Sequence, residues 1–99
     1  MIKRFRYGNV NITAKISKST RKNKQLMAEF ELSGDKKVVH FGDPYMKEYP
    51  GTQRGDNYCA RSYGILNGKG KPTRNDIMSP NFWSRKILWN CVGKRSVKS

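Results

Sequence analysis

Hydrophobic and polar positions alternate with a period of two in two stretches of this chain. From Asn9 to Ile16, Val10, Ile12, Ala14 and Ile16 fall on one side and Asn11, Thr13 and Lys15 on the other. From Gln25 to Leu32 the apolar set is Leu26, Ala28, Phe30 and Leu32, against Met27, Glu29 and Glu31. Such alternation predicts half-buried strands, because successive side chains leave a strand on opposite faces. The polar run from Lys18 to Lys24 between them predicts a hairpin loop, and Ser33-Gly34-Asp35 predicts the next turn. Lys36 to Phe41 is a third β-rich run. It stops at Gly42-Asp43-Pro44, since proline cannot continue a ladder. The result is a three-stranded antiparallel meander, whose single apolar face needs a cover.

The second half is expected to supply that cover. Asp56 to Ile65 predicts a short helix ended by Gly64, with Tyr58, Ala60, Arg61 and Ile65 spaced in threes and fours. Asn67 to Pro72 reads as a flexible, positively charged loop. Ser79 followed by Pro80 is a helix start, a capping hydroxyl and then a ring that needs no N–H. The helix it predicts, Ser79 to Asn90, holds both tryptophans. Its apolar residues form no single stripe: Phe82 and Trp89 share a face, while Trp83 and Ile87 lie about 120° away. Such a helix is wedged between elements or leaves a ring exposed. The predicted fold is therefore α+β, a three-stranded antiparallel sheet covered by one or two short helices. It forms one small basic domain over residues 1–99, with sheet at 5–42, helix and loop cover at 43–90, and a basic tail at 91–99.

Charge changes the picture more than size does. The chain has 99 residues with Lys+Arg 21 against Asp+Glu 7, a net charge of +14. A protein this basic attracts polyanions and resists its own compaction. Its 11% aromatic content argues against a disordered basic tail. The charge is also segregated. Lys3, Arg4, Arg6, Lys15, Lys18, Arg21, Lys22 and Lys24 precede the first acid, Glu29, and no acid follows Asp76.

Candidate chemistry is sparse. Cys59 and Cys91 are the only cysteines, and without a secretory signal they read as small buried hydrophobes kept reduced. With His40 they lack the close pairing of structural zinc sites, so no metal or other cofactor is expected. The acids are scattered and His40 has no nucleophile beside it in sequence, so no enzyme is expected. No apolar run approaches the ~20 residues that span a bilayer, and no membrane partner is expected. Nucleic acid fits better: cations for phosphate, and flat rings (Tyr45, Tyr49, Tyr63 or a tryptophan) that stack bases unless they are core. The expected phosphate contacts are Arg4, Arg6, Lys18, Arg21, Lys22, Lys24, Lys69, Lys71, Lys94 and Arg95.

Three motifs in order, His40-Phe-Gly-Asp-Pro-Tyr-Met46, Tyr58-Cys-Ala-Arg-Ser62 and Pro80-Asn-Phe-Trp-Ser-Arg-Lys86, carry a resemblance. Over roughly Lys36 to Asn90 the chain resembles a group of small, basic, uncharacterised proteins of bacteriophages and large DNA viruses. The resemblance implies a viral origin and work in a virion or on nucleic acid, not a reaction. Relatives carry histidine where this chain has Ser62. Physically, Asp43 and Gly42 suit a turn, and Arg61 suits a helix position from which it pairs with Asp43 or Asp56. The expectation is a virus-encoded protein of the host cytoplasm or virion that grips DNA or RNA by its backbone, largely without reading sequence. The alternative is a virion or host-directed factor docking on an acidic protein, with Trp83 or Tyr45 as an exposed anchor.

Overall fold

The computed structural model describes residues 1–44, 53–89 and 91. Four strands, β1 (Ile2–Tyr7), β2 (Val10–Lys18), β3 (Leu26–Leu32) and β4 (Asp35–Phe41), form one antiparallel sheet in sequence order. The strands read from alternation are present, and β1 is the addition. It escapes the period-two signal because Phe5 and Tyr7 are its only half-buried residues and the others are exposed, three of them cations. Tight turns set the registers. Tyr7 pairs Val10 across Gly8 and Asn9, and Gly8 sits at φ 61, the conformation a two-residue hairpin asks of its first residue. Leu32 pairs Asp35 across Ser33 and Gly34, both at positive φ, as the mirror-image turn of type I requires. One face buries Ile12, Ala14, Ile16, Ala28, Phe30, Val39 and Phe41. The other, open face carries Arg4, Arg6, Asn11, Thr13, Lys15, Glu29, Glu31, Lys36, Val38 and His40 by strand parity.

The chain falls into two compact units, Met1–Pro44 and Tyr45–Ser99. In the second, helix α1 spans Gln53–Tyr63. It starts before the expected Asp56 and buries Gly55, Cys59 and Ser62 rather than the predicted Tyr58–Ile65 set. Ile65 is 48% exposed. A 3₁₀ turn at Thr73–Asn75 leads to α2 (Pro80–Trp83), whose cap is the expected one: Ser79 Oγ accepts from the Asn81 N–H at 3.2 Å. The segment then widens into a π-helical turn over Ser84–Leu88, with the Trp89 N–H donating to Ser84 O at 3.1 Å. This accounts for the missing stripe. Six residues apart, Trp83 and Trp89 would lie about 240° apart on an α-helix, yet the inserted wide turn lets both be buried.

Side chains finish the open end of α1. Its last carbonyls lack intrahelical donors. Arg85 donates to Cys59 O and, at 2.7 Å, to Ser62 Oγ. Asn81 Nδ2 donates to Ser62 O and Arg74 to Tyr63 O, each at 2.9 Å. Arg85 is buried, and burial is the main influence lowering its pKa from the ordinary arginine value. Arg61, expected to pair with Asp43 or Asp56, is instead exposed. The helix turns Ser62 inward, and with it the side that Arg85 fills.

The cysteines correct a second expectation. Cys59 and Cys91 are joined in a disulfide, Cα–Cα 5.6 Å, closing a separation of 32 residues. A spacing so long carries no sequence signature, so only the fold reveals it. Both are buried with Trp89, whose indole stacks on Tyr58 with centroids 4.1 Å apart. The apolar core of this small unit is thin, and such units lean on covalent staples.

Two outcomes follow from this unit. Reduction, or the Cys59→Ser/Cys91→Ser pair, is expected to cost about 3–4 kcal/mol by the loop-entropy relation, read as a fall in the urea midpoint followed by tryptophan fluorescence. Arg85→Met is expected to cost about 1–3 kcal/mol by orphaning buried acceptors, while Arg61→Ala stays within about 0.5 kcal/mol, both measured by the same unfolding curves.

Candidate nucleic-acid interface

The expected phosphate contacts fall in separate places. Arg4 and Arg6 leave β1 on the open face, opposite Thr13 and Asn11, and Lys15 follows on β2. All three are exposed. As alternate residues of one strand, Arg4 and Arg6 stand about 7 Å apart. Lys15 was not among the expected contacts; its side was legible from alternation, but its cationic neighbours were hidden until β1 was known.

Lys18 ends β2, and Arg21, Lys22 and Lys24 occupy the loop to β3. The loop holds its own shape. The Ser19 N–H donates to Gln25 O at 3.1 Å, Lys24 N–H to Arg21 O at 3.3 Å, and Arg21 N–H to Ser19 Oγ at 3.0 Å. Ser19 Oγ also lies 2.7 Å from His40 Nδ1 on β4. In the tautomer that leaves Nδ1 bare the hydroxyl donates to it, and in the other tautomer Nδ1–H donates to the hydroxyl, whose two lone pairs can take both His40 and Arg21. The Gln25 N–H is shared between Phe41 O (3.2 Å) and Gly42 O (3.1 Å). His40 on β4 thus anchors the neighbouring loop. Cations on an ordered loop lose less freedom on gripping a ligand than cations on a mobile one.

Lys69 and Lys71 are exposed on a loop of the second unit. That loop departs from the flexible segment expected of Asn67 to Pro72. Asn67 Oδ1 accepts from the Lys69 and Lys71 N–H groups at 2.8 and 3.1 Å, and Leu66 bridges Pro72. Asparagine's habit of closing turns on its own backbone explains the order. Lys94 and Arg95 lie outside the described residues, as do Tyr45 and Tyr49.

The rings behave as architecture. Trp83 is fully buried at 0% exposure and donates its indole N–H to Ile77 O at 2.8 Å, so it is not the exposed anchor of the protein-docking alternative. Tyr63 carries the Arg74 guanidinium 3.8 Å from its ring centroid, which occupies one stacking face. On the sheet, Phe5 and Tyr7 share the parity of the buried face, so the open face presents no Phe, Tyr or Trp ring, and its one ring is the half-buried imidazole of His40. Among the described residues no helix is long and apolar enough to cross a membrane.

No family model, curated protein or solved structure matches the chain. The functional reading therefore stands on the geometry above.

Ser19→Ala is expected to speed amide exchange across Thr20–Lys24 while lowering global stability by only about 0.5–1.5 kcal/mol, the net worth of a hydrogen bond. Exchange at wild-type rates would show that the loop does not depend on the hydroxyl.

Proposed function

We propose that this protein binds nucleic acid through the phosphate backbone, gripping it with the β1–β2 ribbon and the loop that follows. The observation that carries the reading is where the acid-free stretch lies in the fold. Everything before Glu29 becomes one edge strand, its neighbour, and their connection onward. Lys3, Arg4, Arg6, Lys15, Lys18, Arg21 and Lys22 are all exposed there, and Lys24 is half-buried. A surface of one sign attracts a polyanion without local repulsion, and each phosphate neutralised releases counterions. The absence of a Phe, Tyr or Trp ring on the open face supports backbone contact rather than base stacking.

The resemblance to small basic proteins of phages and large DNA viruses supports a virus-encoded partner of DNA or RNA. The buried Cys59–Cys91 disulfide favours an oxidising setting such as a virion over a reducing host cytoplasm. The alternative, an acidic protein partner, loses Trp83 as its anchor. No catalytic or cofactor role enters the proposal.

Titration against duplex DNA over rising salt is the test, with a log–log slope near −0.9 for each phosphate neutralised. Changing Arg21, Lys22 and Lys24 together to Gln should make that slope shallower by up to about 2.7 and leave the melting temperature nearly unchanged, since exposed charges contribute little to folding. An unaltered slope would remove the loop from the site. Failure to bind duplex or single strands at low salt would overturn the reading.

A further inference from the structure

The open face is not uniformly cationic. On β3, one strand further in than the ribbon, it turns acidic at Glu29 and Glu31. A surface that only held phosphates would do better without these carboxylates, so their surroundings matter.

The β1–β2 ladder runs the length of β1 and the β3–β4 ladder the length of both its strands, six and seven pairs. The β2–β3 ladder is shorter, joining only Lys15–Lys18 to Leu26–Glu29. Beyond Lys15 the facing stretches, Asn11–Ala14 of β2 and Phe30–Leu32 of β3, are not paired. A groove of about 500 Å³ opens there, within the range of small-ligand sites. Asn11 and Thr13 form one wall, Glu29 and Glu31 the other, with Val38 and Lys36 beyond on β4. Phe30, 5% exposed, also borders it. Asn11 and Thr13 sit directly opposite Arg6 and Arg4. The groove therefore begins one strand inward from the two arginines assigned to phosphate.

That juxtaposition fits a nucleotide unit. A backbone lying along Arg4 and Arg6 has its bases free to point across the sheet. Any base that does so meets two carboxylates, which accept hydrogen bonds and donate none. Across the ladders Glu29 stands opposite Lys15 and Glu31 opposite Lys36, so each carboxylate has a cation on its neighbouring strand. Adenine and cytosine offer exocyclic amino donors at this edge, and carboxylate to cytosine N4 is an established pairing. Thymine offers a carbonyl oxygen in the same position, which a carboxylate repels. Cytosine and thymine are close in size, so the difference lies in hydrogen bonding.

We propose that the β2–β3 groove is a base-reading subsite of the open face, selecting an unpaired base with an exocyclic amino group through Glu29 and Glu31. The inference rests on the backbone-binding reading and adds sequence preference to it.

The experiment compares dC and dT oligomers of equal length by fluorescence anisotropy at two salt concentrations. The wild-type protein is run beside the Glu29→Gln/Glu31→Gln variant, with circular dichroism to confirm its fold. The expected result is tighter binding of the dC oligomer by about fivefold or more, with the same salt slope for both, since both carry the same phosphates. In the variant the preference should fall toward one, because Gln both donates and accepts. The dT oligomer should bind more tightly, because two negative charges are gone. Equal affinities for dC and dT in the wild type would overturn the subsite and leave backbone binding standing. So would a preference that survives the double substitution. Binding of neither oligomer would overturn the subsite, and would overturn backbone binding as well where duplex DNA also fails to bind.

Discussion

The two-residue turn at Gly8 and Asn9 decides what the open face of this protein is. A strand has a side-chain period of two, so moving β1 by one residue against β2 would carry Arg4 and Arg6 to the buried face and bring Phe5 and Tyr7 out. Gly8, at φ 61, closes Tyr7 onto Val10 and so fixes Arg4 opposite Thr13 and Arg6 opposite Asn11. A residue with a Cβ meets no neighbour at that position, but it does meet the cost of positive φ. The chemistry of the edge thus depends on the backbone conformation of a residue that has no side chain of its own.

The second unit reaches order by other means. Its buried set includes Ser62, Thr73, Ser84 and Arg85 alongside Trp83, Ile77, Trp89 and the cystine. Ser62, Thr73 and Arg85 are not intrusions into a core, since they donate to carbonyls of α1 and of the turn after it. Thr73 Oγ1 donates to Ile65 O at 2.8 Å and itself accepts from Asn81 at 2.9 Å. Apolar burial alone stabilises a unit of this size weakly. Hydrogen bonds to buried carbonyls and a cross-link between α1 and Cys91 supply the uniqueness that a larger core would give.

Legibility in the sequence followed signal strength. β2, β3 and β4 were readable because a face that buries Ile12, Ala14 and Ile16 must alternate. The Ser79 cap was readable because its chemistry is local. An edge strand such as β1 buries too little to leave a pattern, and arginines within it look like a charged terminus. Cys59 and Cys91 are a pair only in space. Arg85, and not the expected Arg61, is the buried arginine, because α1 turns Ser62 rather than Arg61 inward and Arg85 reaches it from another element. Of the cationic site, the loop residues Lys18 to Lys24 were legible from composition. Lys15, Ser19 and His40 were not, because each acquires its part from a partner on another strand.

The mixed charge of the open face can be reconciled with a grip on phosphate by distance. Neighbouring strands lie about 4.8 Å apart, so β1 and β3 are separated by about 10 Å, more than the Debye length of ~8 Å at physiological salt. Glu29 and Glu31 therefore subtract little from the field at Arg4 and Arg6. Lys15 is different, for its direct partner across the ladder is Glu29. Opposite charges so placed attract each other and draw on the field that a phosphate would feel. Among the cations of the ribbon, the two arginines on the outer strand therefore keep nearly their full field, while that of Lys15 is partly offset by Glu29. The sheet thereby grades from cationic at its β1 edge to mixed at β3 within the width of a single nucleic-acid strand. On the proposed backbone-binding reading, that gradient would orient a bound strand with phosphates outward over β1 and bases inward over β3.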